Sequence, residues 1–384
     1  MNTKLPTDIK KLGFGLMRLP MLNGKVDIEQ TEQMVDLFME NGFTYFDTAY
    51  GYIGGASETA IKTALVDRYS RDSFQLATKL PAWAAASAED AKQMLWTSLE
   101  RTGAGYFDFY LLHNLGGDRH TAFERYGIWE FLAEQKRNGV IRQLGFSAHA
   151  SADYLEKLLD QHPDVDFVQL QINYADWENG IVQSRRCYET AVAHGKPVIV
   201  MEPVKGGALS SLPAEAESVF KALDENASVA SYAIRFAASL DGVLTVLSGM
   251  SSLAQMEDNV SYMRDFRPLD EAEREAVRRV QHILTGIERI PCTDCRYCEK
   301  GCPKHVAIPG IFKNYNDYLL HGDIALIRGD YEWQVSGSNG NRATECIECG
   351  ACERVCPQSI PIIEALKKAS AVFDRDNPVQ GAGE

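Results

Sequence analysis

Eight of the nine cysteines fall into two copies of one pattern near the C-terminus. Cys292-Thr-Asp-Cys295-Arg-Tyr-Cys298-Glu-Lys-Gly-Cys302-Pro303 is matched by Cys346-Ile-Glu-Cys349-Gly-Ala-Cys352-Glu-Arg-Val-Cys356-Pro357. Two-residue gaps let three thiolates of one loop converge on a single inorganic group. Zinc needs only two cysteine pairs per site, and it gives no reason for a third cysteine at the same spacing or for the proline after the fourth. A disulfide framework does not suit a long chain with no sign of secretion. Cys187 stands alone in a helix-like stretch and reads as an ordinary half-buried cysteine.

C-x2-C-x2-C-x3-C-P is the run of the bacterial ferredoxins, and the segment resembles them in both copies. The resemblance implies two [4Fe–4S] clusters in the last quarter of the chain. In that run the fourth cysteine ligates the other cluster. Cluster one then takes Cys292, Cys295, Cys298 and Cys356, and cluster two takes Cys346, Cys349, Cys352 and Cys302.

The rest of the chain is far too long for a ferredoxin. At 384 residues it can bury a large core, and two domains are expected, 1–288 and 289–384. Hydrophobic residues are 45% and charged residues 24%, ordinary values for a globular protein. The stretch MNTKLPTDIKK has no apolar h-region, so no signal peptide is expected. No apolar run approaches a membrane span, and the expected location is the cytoplasm. The net charge of −14 argues against nucleic acid as the main partner, because phosphate binding needs a basic surface. It is compatible with a basic redox partner, although acidic surfaces are usually just solubilising.

From about residue 10 to 265, short apolar runs alternate with longer amphipathic stretches. The strand-like runs are Lys11–Met17, Thr44–Asp47, Phe74–Lys79, Phe107–His113, Val140–Ser147, Phe167–Gln171, Val198–Met201 and Val243–Ser248. Ile28–Asn41, Ala86–Arg101 and Ala152–Gln161 read as intervening helices. Eight strands alternating with helices is the pattern of a (β/α)8 barrel, with an open doubly wound sheet as the runner-up. The open sheet would normally show a glycine-rich turn after its first strand, and Gly13-Phe-Gly15 is the only candidate. Barrel chemistry sits at the C-terminal ends of strands. Those ends carry Asp47, Lys79, His113, Ser147, Gln171, Met201 and Ser248, with Tyr52 five residues past Asp47. Singly, His113 reads equally well as a satisfied core histidine and Lys79 as a rim lysine. Jointly they suggest an acid/base site.

At these residues the sequence resembles the aldo-keto reductase superfamily. The carrying segments are GFGLMRLP, FDTAYGY, LATKLP, YLLHN, LGFSAH, QLQINY and GMSSLAQMEDN, in the family's order across almost the whole barrel. With the cysteine runs, the chain resembles the iron–sulfur branch of that superfamily. The resemblance implies a catalytic tetrad of Asp47, Tyr52, Lys79 and His113. Tyr52 would be the general acid, since it and not Tyr50 has the family spacing from the aspartate. A free tyrosine, with a pKa of about 10, is a sluggish proton donor at neutral pH. Lys79 would lower that value, Asp47 would hold Lys79, and His113 would hydrogen-bond the substrate oxygen.

The resemblance also implies an NADP or NAD cofactor held by Ser147 and Gln171 at the carboxamide and by Asn259 at the adenine. Ala148 stands where the family has an asparagine, so that contact is missing or moved to His149. Met201 stands where an aromatic ring stacks on the nicotinamide. The cations that grip the 2′-phosphate of NADP fall near Gly249 and Gln255, which leaves NAD as a real alternative.

Arg264–Arg289 reads as the last barrel helix. The insert Pro303–Glu345 between the cysteine runs holds Tyr315, Tyr318, Tyr331 and Trp333, read as building a small core, with packing the clusters against the barrel or capping the active site as the alternative. Ile360–Phe373 reads as a helix and NPVQGAGE as a disordered tail. Trp83, Trp177 and the loop after Asn114 are expected to shape the pocket.

A nicotinamide passes two electrons as hydride, whereas each cluster takes one. No flavin motif is evident, although a flavin would supply the missing one-electron step. Three functions are therefore weighed. The first is nicotinamide-linked reduction of a carbonyl, or oxidation of a hydroxyl, with the clusters exchanging electrons with a ferredoxin or other redox partner. The second is a ferredoxin-fed reductase with little nicotinamide dependence. The third is a non-enzymatic redox-sensing or binding subunit, which the complete tetrad disfavours.

Overall fold

The structure is a computed structural model that describes residues 9–116, 120–180, 182–286, 289–290, 292, 297–336, 339–356 and 360–374. The chain divides into two compact units. One comprises Met1–Ser210 and Asp224–Val277, the other Ser211–Leu223 and Arg278–Glu384.

In the first unit eight parallel strands close into a barrel. They are β1 (Leu12–Gly15), β2 (Tyr45–Asp47), β3 (Gln75–Leu80), β4 (Phe107–Leu115), β5 (Ile141–Ala148), β6 (Phe167–Gln171), β7 (Val198–Met201) and β8 (Val243–Ser248). β8 returns to β1 through Leu12↔Val246, Gly13↔Leu247 and Phe14↔Ser248. β1 is shorter than expected because Leu16–Arg18 turns into a short 3-10 helix. Four of the helices between strands start where a serine side chain satisfies a free N–H group. Ser87, Ser151, Ser228 and Ser252 cap Ala88–Thr102, Ala152–Gln161, Val229–Ala238 and Leu253–Met263.

Strand side chains alternate between two faces. Phe14, Phe46, Leu112, Phe146, Val168 and Val246 face outward into the apolar layer shared with the helices. Tyr45, Ala77, Phe109, Leu111, Phe167, Ile199 and Leu247 form a separate cluster that fills the barrel. Gly145 is needed there, because a Cβ would sit 2.5 Å from the carbonyl oxygen of Phe167. The inward positions are odd-numbered on every strand from β2 on. Asp47, Lys79, His113, Ser147, Gln171 and Met201 continue that set upward. Ser248 does not: it has the outward parity of Val246, and its hydroxyl accepts from Asn259 on the helix Leu253–Met263 at 2.6 Å. It belongs to the strand–helix layer rather than the barrel mouth.

The second unit is helical. It contains Ala214–Lys221, Tyr297–Lys300, Ile308–His321, Ile324–Gln334, Ala351–Arg354 and Ile362–Phe373. The division between units falls within the helix Glu271–Gly286. The core of the second unit gathers Ile311, Phe312, Tyr331, Leu366 and Phe373, with Cys298 and Cys352 among its buried members. Tyr331 stacks on Phe373 at 4.3 Å, and Tyr315 and Tyr318 pack against this core as expected. Trp333 departs from the expectation, being 66% exposed. Among the described residues no helix is long and apolar enough to cross a membrane.

Candidate active site and cysteine-lined cavity

Parity brings the barrel candidates to one place. Lys79 is fully buried, and its ammonium donates to Asp47 Oδ1, to the Thr48 carbonyl at 2.7 Å and to Tyr52 OH at 3.4 Å. Asp47 Oδ2 is buried with no hydrogen-bond partner among the described residues. The His113 ring lies edge-on to Tyr52, with centroids 5.8 Å apart and planes at 78°. Trp83 Nε1 donates to the His113 carbonyl at 3.0 Å. Tyr50 takes no part, because its ring lies under Arg101 at 4.5 Å.

The loop that carries Tyr52 is anchored from behind. Glu58, fully buried, accepts from Thr78 Oγ1 at 2.7 Å and pairs with Arg101 at 3.2 Å, and Arg101 also donates to the Tyr50 carbonyl at 3.0 Å. Directly after Tyr52 the backbone turns left-handed at Ile53 (φ 52°), Gly54 and Gly55. A β-branched residue in that region is strained, and such strain persists only where the surroundings hold it.

Electrostatics follow from the burial. Burial works against the charge on Lys79, but Asp47 and then Tyr52 outweigh it and hold the ammonium above its ordinary value. Burial raises the Asp47 carboxyl, with Lys79 opposing. For Tyr52 the largest effect is again burial, which raises the phenol. Lys79 pulls it down, in the expected direction, but does not overcome the desolvation. The phenol therefore sits above the ordinary tyrosine value rather than below it.

The residues expected to meet a dinucleotide divide into three groups. Ser147 and Gln171 lie at the mouth on adjacent strands. The Ser147 hydroxyl accepts from Asn114 N at 2.8 Å, and Gln171 Oε1 meets His149 Nδ1 at 3.1 Å. Met201 pairs with Gln171 in register and receives Gln169 Nε2 on its sulfur at 3.7 Å. Asn259 is buried, donates to Ser248 and accepts from Tyr262 OH at 2.6 Å. Gln255 turns back on its own loop, its Oε1 accepting from Ser251 N at 2.7 Å. Gly249 is exposed, and a Cβ built there would lie 3.8 Å from Arg18 Cδ, so the cation nearest this corner comes from the turn after β1.

Trp177 is half-buried. It packs between Tyr188 at 5.7 Å and Phe236 at 5.4 Å, on two flanking helices. Of the loop after Asn114, residues 117–119 lie outside the described residues and His120–Arg125 is a helix. Cys187 is buried, its thiol pushed up by burial to about 11, and it donates to the Ala150 carbonyl at 3.4 Å.

Sequence reading missed a polar cluster in the loops after β6 and β7: Asn173, Asp176, Glu202 and Lys205. The available signal was a run of polar residues just beyond two barrel strand ends, where loops carry function.

In the second unit, Cys302, Cys346, Cys349 and Cys352 line one cavity with Val306, Ile308 and Leu366, about 340 Å³ of empty space including its open side. Val306 N–H donates to Cys302 Sγ at 3.5 Å. Four soft thiols from both runs on an apolar lining are a donor set that fits an iron–sulfur cluster. Among the described residues, no three His, Cys, Asp or Glu side chains are gathered tightly enough to hold a single metal ion. Of the other expected set, Cys298 is buried, Cys292 and Cys356 are half-buried, and Cys295 lies outside the described residues. Asn316 grips Ile290, two residues before Cys292, accepting from its N–H at 2.8 Å and donating to its carbonyl at 2.9 Å.

The aldo/keto reductase family matches residues 11–282, and the 4Fe-4S dicluster domain matches 291–360. An aldo-keto reductase of Mycolicibacterium smegmatis is 30% identical over 133 residues, 34% of this chain. That match spans less than half of the relative, 44% of its length. The holo form of aldo-keto reductase AKR11C1 from Bacillus halodurans superposes with a TM-score of 0.57 at 26% identity, covering 71% of this chain and 92% of that one. An aldo-keto reductase from Klebsiella pneumoniae in complex with NADPH has a TM-score of 0.56 at 20% identity, over 71% of this chain and 91% of its own, a likeness of fold alone. The chain belongs to the aldo/keto reductase family, and C-terminal to its barrel it carries a 4Fe-4S dicluster domain.

Proposed function

We propose that the barrel reduces a small-molecule carbonyl compound, or oxidises the corresponding alcohol, with a nicotinamide dinucleotide, and that the C-terminal unit holds two [4Fe–4S] clusters for electron transfer with a redox partner. The domain limits 1–288 and 289–384 belong to the same proposal. The observation that carries it is the buried Lys79 ammonium touching Asp47 and Tyr52 together. When bound, a reduced nicotinamide supplies hydride and each cluster supplies single electrons.

The chain's own part is positioning and proton handling. Tyr52 gives its phenolic proton to the carbonyl oxygen, or takes it back in the reverse direction. Lys79 steadies the phenolate left behind, and Asp47 keeps Lys79 aimed. His113, facing the Tyr52 ring, donates to the same substrate oxygen. Ser147 and Gln171 orient the carboxamide, with His149 on Gln171 where the family's asparagine is replaced. Cluster one is held by Cys292, Cys295, Cys298 and Cys356, and cluster two by Cys302, Cys346, Cys349 and Cys352. The four thiols on one cavity support the second assignment.

A second reading has electrons entering through the clusters, with nicotinamide secondary. The inward-turned Asn259 and the loop-bonded Gln255 favour it, because the amide oxygen of each already accepts a hydrogen bond within the chain. One experiment separates the two. Anaerobically purified protein with both clusters loaded is mixed with NADH, then NADPH, and then a carbonyl substrate panel. Under the first reading, Tyr52→Phe lowers nicotinamide-driven turnover about a hundredfold to ten-thousandfold. Turnover retained in that variant removes the acid role from Tyr52. Turnover supported only by reduced ferredoxin supports the second reading.

A further inference from the structure

Gln171 does not stand at the barrel mouth unsupported. Its Nε2 donates to Asp176 Oδ2 at 3.0 Å, and Asn173 Nδ2 donates to the same oxygen at 2.9 Å. The other oxygen, Oδ1, pairs with Lys205 at 2.6 Å. Asp176 is fully buried, and the Lys205 side chain is 20% exposed. Asp176 N in turn donates to Asn173 Oδ1 at 2.8 Å, and Asn173 Nδ2 also reaches the Glu202 carbonyl at 3.2 Å. Two loops remote in sequence are thus fastened through one carboxylate.

The loop on the far side is under backbone strain. Glu202 (φ 57°), Lys205 (φ 51°), Gly206 (φ 67°) and Gly207 (φ 102°) are all left-handed. Glutamate and lysine adopt that region only when neighbours hold them there. The neighbours that do so are Asn173, on the Glu202 carbonyl, and Asp176, on the Lys205 ammonium.

An ionised carboxylate only accepts hydrogen bonds, whereas an amide has one accepting and one donating end. Asp176 therefore forces the NH2 of Gln171 toward itself and turns Oε1 toward His149 Nδ1. We infer that Asp176 is the positioning residue of the nicotinamide site: its single carboxylate sets which way the Gln171 amide faces and, through Lys205, holds the left-handed loop after β7, so that both adopt their binding shape together. This rests on the nicotinamide reading above. Asp176 acts through Gln171 and Lys205 and touches neither substrate nor cofactor.

The test is a double-mutant cycle on the anaerobically purified, cluster-loaded full chain, with NADH and NADPH as the probes and both affinity and kcat as the readouts. Asp176→Asn keeps the shape but offers one acceptor where Gln171, Asn173 and Lys205 need several. Nicotinamide affinity is expected to weaken about tenfold or more, with kcat at saturation within about threefold. Asp176→Asn combined with Gln171→Ala is expected to weaken binding by clearly less than the product of the two single effects, the remainder passing through Lys205, because contacts in one network are not additive. A merely structural role would lower the melting temperature and leave the two effects additive, and that result overturns the inference while leaving the proposed function intact. A wild-type protein that binds neither dinucleotide overturns the nicotinamide reading and this inference with it. If Asp176→Asn does not fold, Asp176→Asn with Lys205→Met removes both charges of the pair, and its cycle with Gln171→Ala is judged by the same additivity criterion.

Discussion

The two units of this chain hold their polar groups in opposite ways. In the barrel the backbone ladder closes on itself, and apolar layers lie on both faces of the strands. Its buried pair of Lys79 and Asp47 contributes little to the fold: isolating two charges from water costs about as much as their attraction returns. The helical unit has a smaller apolar core, and cysteines from both runs sit within or against it. An ionic clasp supplements that core. Arg342 pairs with Glu332 and, at 2.9 Å, with buried Asp374, which also accepts from Tyr331 OH at 2.9 Å. The difference teaches that the barrel's fold does not depend on its buried charges, whereas the fold of the second unit draws on its thiols, whatever electrons their clusters carry.

The largest expected effect tests the second half of that contrast. Stripping iron with a chelator under anaerobic conditions is expected to abolish the folded helical unit while leaving the barrel folded, because metal-binding free energy in small cluster domains is folding free energy. Calorimetry should show two transitions in the loaded protein and only the barrel transition after stripping. A second unit that melts unchanged without iron would break the comparison.

The next effect tests the barrel. Lys79→Met is expected to lower kcat about a hundredfold or more. It is also expected to cost about 3 kcal/mol of barrel stability, because it leaves Asp47 buried without a counter-charge. Adding Asp47→Asn should restore most of the stability and none of the activity. If stability and activity recover together, the pair is structural and the contrast between the units fails.

The smallest effect is a pH profile. Burial raises the Tyr52 phenol above its ordinary value, and in the proposed mechanism the protonated phenol is the acid. The active form is therefore fully present below the ordinary tyrosine value of about 10 and is lost only as pH rises through the higher folded value. Carbonyl reduction should show a flat kcat/KM through neutral pH, with an alkaline limb above the usual tyrosine range that disappears in Tyr52→Phe. A limb near neutrality that survives the substitution would assign it to another group.

Much of this was legible in the residues. Apolar runs with turn signals marked all eight strands, because each barrel strand is short and buried on both faces. The cysteine spacing marked the dicluster segment. Asp47, Tyr52, Lys79 and His113 were legible as a set because they sit at or just past strand ends. The misreadings have specific causes. Ser248 occupies a strand end like the others, but the two-residue alternation turns it toward Asn259 and away from the mouth. Trp333 looks like a core residue from its type alone, but the helix Ile324–Gln334 buries Tyr331 and leaves Trp333 outside.

Period and spacing are local properties, and so the sequence alone determined the barrel, its strand ends and the paired cysteine runs. Tertiary structure decided everything that depends on which distant groups meet. It brought Lys79 between Asp47 and Tyr52, raised the phenol by burial against the lysine's pull, and joined Gln171 to Lys205 through Asp176. Desolvation and hydrogen-bond partnership arise only when strands and loops far apart in the chain close on one another, and no local pattern encodes their balance.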